Sequence, residues 1–422
     1  MTDPARVSLR PVLLVNFIGA LGFSIVLPFL VFVVQDLGGN AFVYGLVGAA
    51  YPAMQFVGAP VLGRWSDRYG RRRILLLSQA GTLVSWLIFL AALYAPSVAL
   101  GSHDGVLGTF TLTLPLALLG FARALDGLTG GNISVANAYV ADVSSEAERN
   151  ANFGRMGVAY NTGMILGPAL ASVLGSTPYG EMVPVVAAAA ISLVATVFIA
   201  VALPESRPAP VVPSPQPAPC GEVFGQGHHK GVVEPVSSTR ADALSLPGVR
   251  HMLVLYFVIL LSFNLYYTAM PVHAASTLGW TVVQTGVFFA VLSAAMVFVE
   301  GPVLARLSKR FAEPGLITVG LLLLAVNFAL MASSQLPAIG VAILCFAFGN
   351  GIMWPSVTSH LAGLSTDEAQ GQVQGLAGSA GSAASIVGLL AGGVVYEAAG
   401  VSTFYLASAV ALLACVLSLR LR

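Results

Sequence analysis

GRWSDRYGRRR, Gly63 to Arg73, carries six charged residues among its eleven and stands between two apolar runs near 42–62 and 74–95. Each run is long enough, at about 1.5 Å per helical residue, to cross the roughly 30 Å hydrocarbon core of a bilayer. Charge is thus gathered into a short joint between two candidate membrane spans. The rest of the chain follows the same plan. Of 422 residues 57% are hydrophobic, 9% are charged and 45 are glycine, and the mean hydropathy is +0.85. A soluble globular chain has about 25% charged residues. So few charges cannot cover a water-facing surface, which makes lipid the solvent for most of the chain. The net charge of +1 gives no reason to expect a nucleic-acid partner, and Cys220, Cys345 and Cys415 form neither a disulfide framework nor a zinc site.

Apolar runs place twelve spans, near 11–34, 42–62, 74–95, 110–140, 154–175, 182–203, 250–274, 281–304, 315–333, 337–361, 371–395 and 400–419. The runs are continuous and do not alternate, so helices are predicted in place of a β-barrel, and the fold class is all-α integral membrane. With the N-terminus inside, 18 of the 19 lysines and arginines fall on the inner side, from Arg6 and Arg10 to Arg420 and Arg422. The outer loops carry Asp36, Asp104, Glu181 and Glu397 and no basic residue. Basic residues stay on the cytoplasmic side, so both termini are expected there, in the cell (inner) membrane. No small-residue cleavage site follows the first span, which is read as a retained helix.

Pro204 to Gly248 is polar and has seven prolines between Pro204 and Pro219. Proline favours extended, solvated chain, so this stretch is read as a cytoplasmic tether. It divides the chain into an N-terminal six-helix bundle (1–203), the linker (204–248) and a C-terminal six-helix bundle (249–422). The parts repeat: Ser144-Ser145-Glu146, Phe153-Gly154 and Gly167 return as Ser365-Thr366-Asp367, Gln374-Gly375 and Gly388, each shifted by 221 residues. Such symmetry suits a transporter of two rocking halves with a site between them. His228-His229-Lys230 in the linker is read as solvated loop and not as a metal site.

The Gly63–Arg73 stretch resembles the signature loop of the major facilitator superfamily, G-x-x-x-D-R-x-G-R-R, with every polar position filled. Its glycines permit a tight turn and close helix approach. The resemblance implies a twelve-helix fold in two pseudo-symmetric bundles and a gating role for Gly63, Asp67, Arg68, Gly70 and Arg71, latching the halves on the inner side. The alternative is a basic loop that only sets topology. The corresponding stretch Gly301–Phe311 keeps Gly301, Arg306 and Arg310 and lacks the acid.

Span four holds Arg123 and Asp126 near the bilayer midplane. Charge there is costly unless it faces a cavity or a partner, and residues three apart on a helix share a face. Desolvation and a neighbouring guanidinium act on a carboxylate in opposite senses, which suits Asp126 to load and release a proton as water access alternates. Arg123 and Gly127 resemble the R-x-x-x-G element of proton-coupled facilitators, which implicates Arg123 in proton relay; a static ion pair is the alternative. Gly154, Gly163, Gly167 and Pro168 fit the family's antiporter signature and mark a helix pivot, with ordinary small-residue packing as the alternative. That signature ends in two glycines where this chain has Ala171 and Ser172. Together these motifs are most similar to the drug:proton antiporter branch that includes tetracycline efflux proteins. One departure is Gly19, which stands where that branch has an acid; either Asp126 carries the proton alone or with Glu300, or coupling differs from the family's.

Asn264, Tyr266 and Tyr267 in span seven and Asn350 and Trp354 in span ten are the candidate substrate-cavity residues, since stacking rings and a few amides suit an amphipathic aromatic ligand. Tyr267 and His273 fit an interfacial belt equally well, and Asn327 is a weaker candidate. No phosphate-cradling loop, zinc set or catalytic triad is present in the sequence, so neither enzyme chemistry nor a cofactor is expected, and a gradient is the energy source. The reading is a monomeric secondary transporter that exports a small amphipathic organic compound or drug by proton antiport. An uptake carrier or uniporter for a small metabolite, a lipid translocator, and a non-transporting membrane receptor or scaffold remain open alternatives.

Overall fold

The computed structural model describes residues 9–26, 28–130, 132–144, 146–206, 244, 246–364 and 370–421. Cys220, His228-His229-Lys230, the body of the proline-rich linker, Ser145 and the repeat at 365–367 lie outside the described residues. Before the linker run α1 (Arg10–Ser24), α2 (Leu30–Asp36), α3 (Ala41–Tyr69), α4 (Arg71–Tyr94), strands β1 (Ala99–Gly105) and β2 (Gly108–Thr113), α5 (Leu114–Thr129), α6 (Asn132–Val143), α7 (Glu146–Gly175) and α8 (Met182–Ala202). After it come α9 (Val249–Ser276), α10 (Val282–Phe298), a π-turn (Val299–Val303), α11 (Leu304–Leu307), α12 (Glu313–Met331), α13 (Leu336–Gly363), α14 (Gln370–Ala399) and α15 (Ser402–Ser418).

Nine helical stretches among the described residues are long and apolar enough to cross a membrane. At the other three expected places the helices are shorter. The first run divides into α1 and α2 around Pro28, whose ring cannot continue a helix. The fourth divides into α5 and α6 at Gly130. At the last, α15 has 17 residues. Hydropathy sees a continuous apolar run across such a break because it does not sense backbone hydrogen bonding. The expected loop at Gly63–Arg73 is mostly helix as well. Gly63 to Tyr69 close α3, Arg71 opens α4, and Gly70 alone makes the joint with φ +98°, a conformation that costs glycine little.

Large apolar side chains are divided between the interior and the periphery. Phe29, Phe89, Phe328 and Phe404 are buried, while Leu87, Leu193, Leu412 and Leu413 are exposed. Apolar residues on both faces of a helix are what lipid as outer solvent demands. Close helix contact is made by glycine: Gly163 lies on Phe17 and Leu21, and Gly167 on Ser24 and Ile25, seating α7 on α1. The repeat reproduces this arrangement, with Gly388 on Leu261 and Asn264 seating α14 on α9.

Contacts across the linker gather at the end of the molecule that bears β1 and β2. Gly45 of α3 meets Leu389 and Gly393 of α14 backbone to backbone, and Gly286 of α10 meets Ser172 of α7. Ser172 and Gly393 are 221 residues apart in the repeat, so these two contacts are counterparts. Ser172 Oγ adds a hydrogen bond to Val283 O at 3.1 Å. The β1–β2 hairpin, which the all-α expectation omits, lies over this end. Its turn is Val106-Leu107, between the paired Gly105 and Gly108. Asn40 Nδ2 donates to Leu107 O at 2.8 Å and Thr111 N to Gly38 O at 2.9 Å. Glu397 of α14 accepts from Ala41 N at 3.2 Å and lies against Gly108. A carboxylate at the first turn of α3 complements the free amides and dipole of that helix end.

Candidate functional site

A cavity of about 350 Å³ lies at the centre of the bundle. Its walls come from both sides of the linker: α1, α3, α4, α5, α7 and α8 supply most of it, and α9 and α14 add Leu260, Phe263, Asn264, Tyr267, Ser385 and Leu389. Tyr44, Tyr51, Tyr160, Tyr267, Phe23 and Trp86 give it an aromatic lining, and Asn16, Gln55, Gln79, Thr82 and Ser192 give it hydrogen-bonding groups.

Arg123 and Asp126 sit in this wall because α5 is short and held at both ends. Thr113 caps its start by accepting from Leu116 N. Its end at Gly130 is met by Gln55 Nε2, which donates to Gly130 O at 2.9 Å. Gly127 lies directly on the Tyr51 carbonyl, where a Cβ would come to 2.2 Å, so α5 packs on α3 at backbone distance. Arg123 Nη1 then pairs with Asp126 Oδ2 at 3.2 Å, with only 5% and 7% of the two residues exposed. The guanidinium faces the rings of Tyr51 and Phe23 at 5.0 and 5.9 Å, which adds cation–π attraction in a desolvated place. Thr82 of α4 lines the same cavity. The pair cancels its own charge, so the cavity presents both signs at a net of zero.

Of the five expected cavity residues the structure brings Asn264 and Tyr267 to the wall. Asn264 Nδ2 donates to Leu260 O at 2.7 Å and to Ser385 Oγ at 3.2 Å. Tyr266, Asn350 and Trp354 lie away from it. Adjacent helical residues point about 100° apart, and Tyr266 stacks instead on Phe328, 1% exposed. Asn350 Nδ2 reaches Met296 Sδ at 3.7 Å, and the Trp354 ring lies 5.4 Å from that of Tyr256. His273, fully buried, meets Tyr396 Oη at 3.2 Å, and Asn327 donates to Ala342 O at 2.7 Å. Glu300 is on the π-turn, and Gly19, the position of the missing acid, lines the cavity.

At the arginine-rich joint, Arg71 is the hub. Its Nη1 meets Asp67 Oδ1 at 2.7 Å and Ser66 Oγ at 2.7 Å, and its Nε meets Asp142 Oδ2 at 2.9 Å. Arg68 lies over the Tyr69 ring at 5.4 Å. Glu205, at the start of the linker, was not singled out by the sequence reading; it accepts from Arg71 N at 2.8 Å and Arg72 N at 3.2 Å, at the first turn of α4 and against Gly70. Of the pivot residues, Gly163 and Gly167 are in tight contact, Gly154 faces open space, and Pro168 is inside α7. The cavity residues missed by sequence come from several spans, Phe23 from span one, Tyr44 and Tyr51 from span two, Gln79 and Trp86 from span three, Tyr160 from span five and Ser192 from span six, and the amides Gln55 and Gln79 were the available signal.

The family model of the Major Facilitator Superfamily matches residues 12–359 and 252–422. The chain belongs to that superfamily. Membership makes it a multi-pass membrane transporter of small molecules and not an enzyme. Among curated relatives it is 29% identical over 390 residues to the class E tetracycline resistance protein of Escherichia coli, covering 92% of this chain and 87% of that one. It is 27% identical over 370 residues to the human major facilitator superfamily domain-containing protein 10, covering 84% and 73%. Among solved structures, the human organic anion transporter MFSD10 aligns with a TM-score of 0.67 at 24% identity over 99% of this chain and all of that one. A D-xylose-proton symporter aligns with a TM-score of 0.72 at 14% identity over 98% and 96%. These superpositions establish the facilitator fold.

Proposed function

We propose that this facilitator exports a small amphipathic organic compound, of the kind represented by tetracycline, in exchange for protons. In this reading the α1–α2 and α5–α6 pairs and α15 complete twelve crossings in two six-helix bundles, residues 1–203 and 249–422, joined by the tether 204–248. The protein acts as a monomer in the inner membrane with both termini in the cytoplasm and its hairpin outside. The contacts of Gly45 with Gly393 and of Gly286 with Ser172 close the outer end, and rocking of the bundles opens it, pivoting on the α7 segment that holds Gly154, Gly163, Gly167 and Pro168. The joint of Gly63, Asp67, Arg68, Gly70 and Arg71 controls the inner end.

One observation carries this reading: a buried Arg123–Asp126 pair in the wall of a cavity lined from both halves. A charge held at the membrane midplane is costly and is retained where it lines a route for ions or substrate. Asp126 takes a proton from the outer side. With the cavity open inward the proton leaves, Asp126 returns to Arg123 as the anion and ligand binds; carrying the ligand outward disturbs the pair and readies Asp126 for the next proton. Ligand outward and proton inward then share one moving site.

The test uses proteoliposomes with an internal pH-sensitive dye and an imposed proton gradient, to which tetracycline and a panel of planar aromatic compounds are added. Ligand-triggered proton movement in the wild type and its loss in Asp126→Asn, with expression and folding kept, is the expected result. Gradient-driven flux unchanged in Asp126→Asn removes Asp126 as the carrier. Silence of both proteins, with radiolabelled metabolites equilibrating, replaces antiport by uniport.

A further inference from the structure

A carboxylate in the last turn of a helix faces the negative end of that helix's own dipole, which is a poor place for it. Glu397 stands there, two residues before the end of α14. Its compensation comes from the other half of the molecule. Glu397 Oε2 accepts from Ala41 N at 3.2 Å, the first amide of the 29-residue α3. At that end the dipole is positive and the amides have no partner within the helix. Asn40 serves a different amide, accepting from Val43 N at 3.1 Å, so α3 is capped by one side chain from each half.

The hairpin completes a slot around Glu397. It is carried by the N-terminal half: Asn40 Nδ2 donates to Leu107 O, Thr111 N to Gly38 O, and Thr113 Oγ1 to Leu37 O at 2.8 Å. The Phe110 ring lies 6.0 Å from that of Phe42 on α3. Gly108, with φ +75°, lies against the carboxylate, and a Cβ there would collide with Glu397 Oε1. Glycine is thus required both by the backbone angle and by the group beside it.

We propose that Glu397 is the charged latch of the outer end, a gate residue that seats α14 of one half in a slot made by α3 and the hairpin of the other. This rests on the reading that the outer end closes and opens as the halves rock. When α14 leaves α3, Glu397 loses the α3 amide and keeps the unfavourable end of its own helix, so its charge favours the closed state. The glycine seam at Gly45 and Gly393 supplies close approach. Glu397 adds a charge-assisted hydrogen bond, whose strength sets how often the outer end opens to let ligand leave.

The experiment uses the full chain with Cys220, Cys345 and Cys415 replaced by serine and one cysteine placed at Leu30. Leu30 is the first residue of α2, lines the cavity and is 4% exposed. The rate of its reaction with a membrane-impermeant maleimide, added outside right-side-out vesicles, reads the open population. Glu397→Ala should raise that rate by about fivefold or more, and Glu397→Gln, which keeps an acceptor without the charge, should fall between. Ala41→Pro removes the donated N–H at a position where a helix accepts proline. Asn40 before it is already extended, at φ −119° and ψ −168°, as a residue preceding proline must be. Ala41→Pro should match Glu397→Ala, and the double variant should add little, because both remove one contact. Glu181→Gln, a charge lost from the same side, should leave the rate unchanged. Rates equal to wild type in Glu397→Ala and Ala41→Pro, with Gly45→Ala faster because it forces the seam apart, overturn the latch. A double variant at the product of the two single effects overturns it as well. No acceleration in any variant, Gly45→Ala included, overturns the rocking closure and the latch with it.

Discussion

Replacing Gly45 by alanine tests whether the closed hairpin end is one of two alternating states. A Cβ at Gly45 would lie 2.4 Å from Leu389 O and 3.2 Å from Gly393 Cα. Carbon–oxygen contacts settle at about 3.3–3.6 Å, so α3 and α14 must part by roughly 1 Å. The obstacle is backbone, which cannot turn aside, and overpacking of this kind costs about 1–3 kcal/mol. That strain falls on the closed end alone, because a state with the two helices apart there has no Leu389 carbonyl to meet. A cost of about 2 kcal/mol changes the population ratio by roughly 30-fold. Pulsed EPR between labels at Val106, on the hairpin turn, and Val401, after α14, in nanodiscs reads the ratio directly. Gly45→Ala should enlarge the long-distance population, and Gly340→Ala, where a Cβ meets nothing within 4 Å, should not. A Gly45→Ala distance distribution identical to wild type would refute the reasoning.

Two further outcomes follow from the helix joints. Asp67→Asn takes a carboxylate from Arg71, 2.7 Å away, and should slow turnover while ligand affinity holds; unchanged turnover would reduce the joint to a topology signal. Gly167→Val should lower the stability of α7 on α1 by about 1–3 kcal/mol, since its Cβ would come to 2.0 Å from Ser24 Oγ, whereas Gly154→Val enters open space and should be mild. Thermal melts of the two in the same detergent decide it, and equal melting points would count against the packing argument.

The sequence is most legible where lipid acts directly on composition. Run length and the placement of arginines gave spans that agree closely with helices such as α9 and α13. The Arg123–Asp126 pair was also readable, because spacing of three on a helix fixes a shared face. Backbone breaks were not: the interruption at Gly130 lies inside an apolar run, and what stabilises it is a side chain 75 residues away, Gln55. The cavity wall was readable only in part. Tyr266 and Tyr267 are neighbours in sequence with the same chemistry, and what holds Tyr266 away from the cavity is packing on Phe328, Phe346 and Phe404, rings far off in the chain.

The hairpin has a pharmacological consequence. Its turn is exposed, with Val106 88% accessible, and its flanks touch Gly38 and Asn40 before the linker and Glu397 after it. An antibody fragment gripping the turn together with the end of α14 would act as a staple across the two halves. It would inhibit without entering the cavity, so cavity substitutions that change ligand preference would leave its potency untouched.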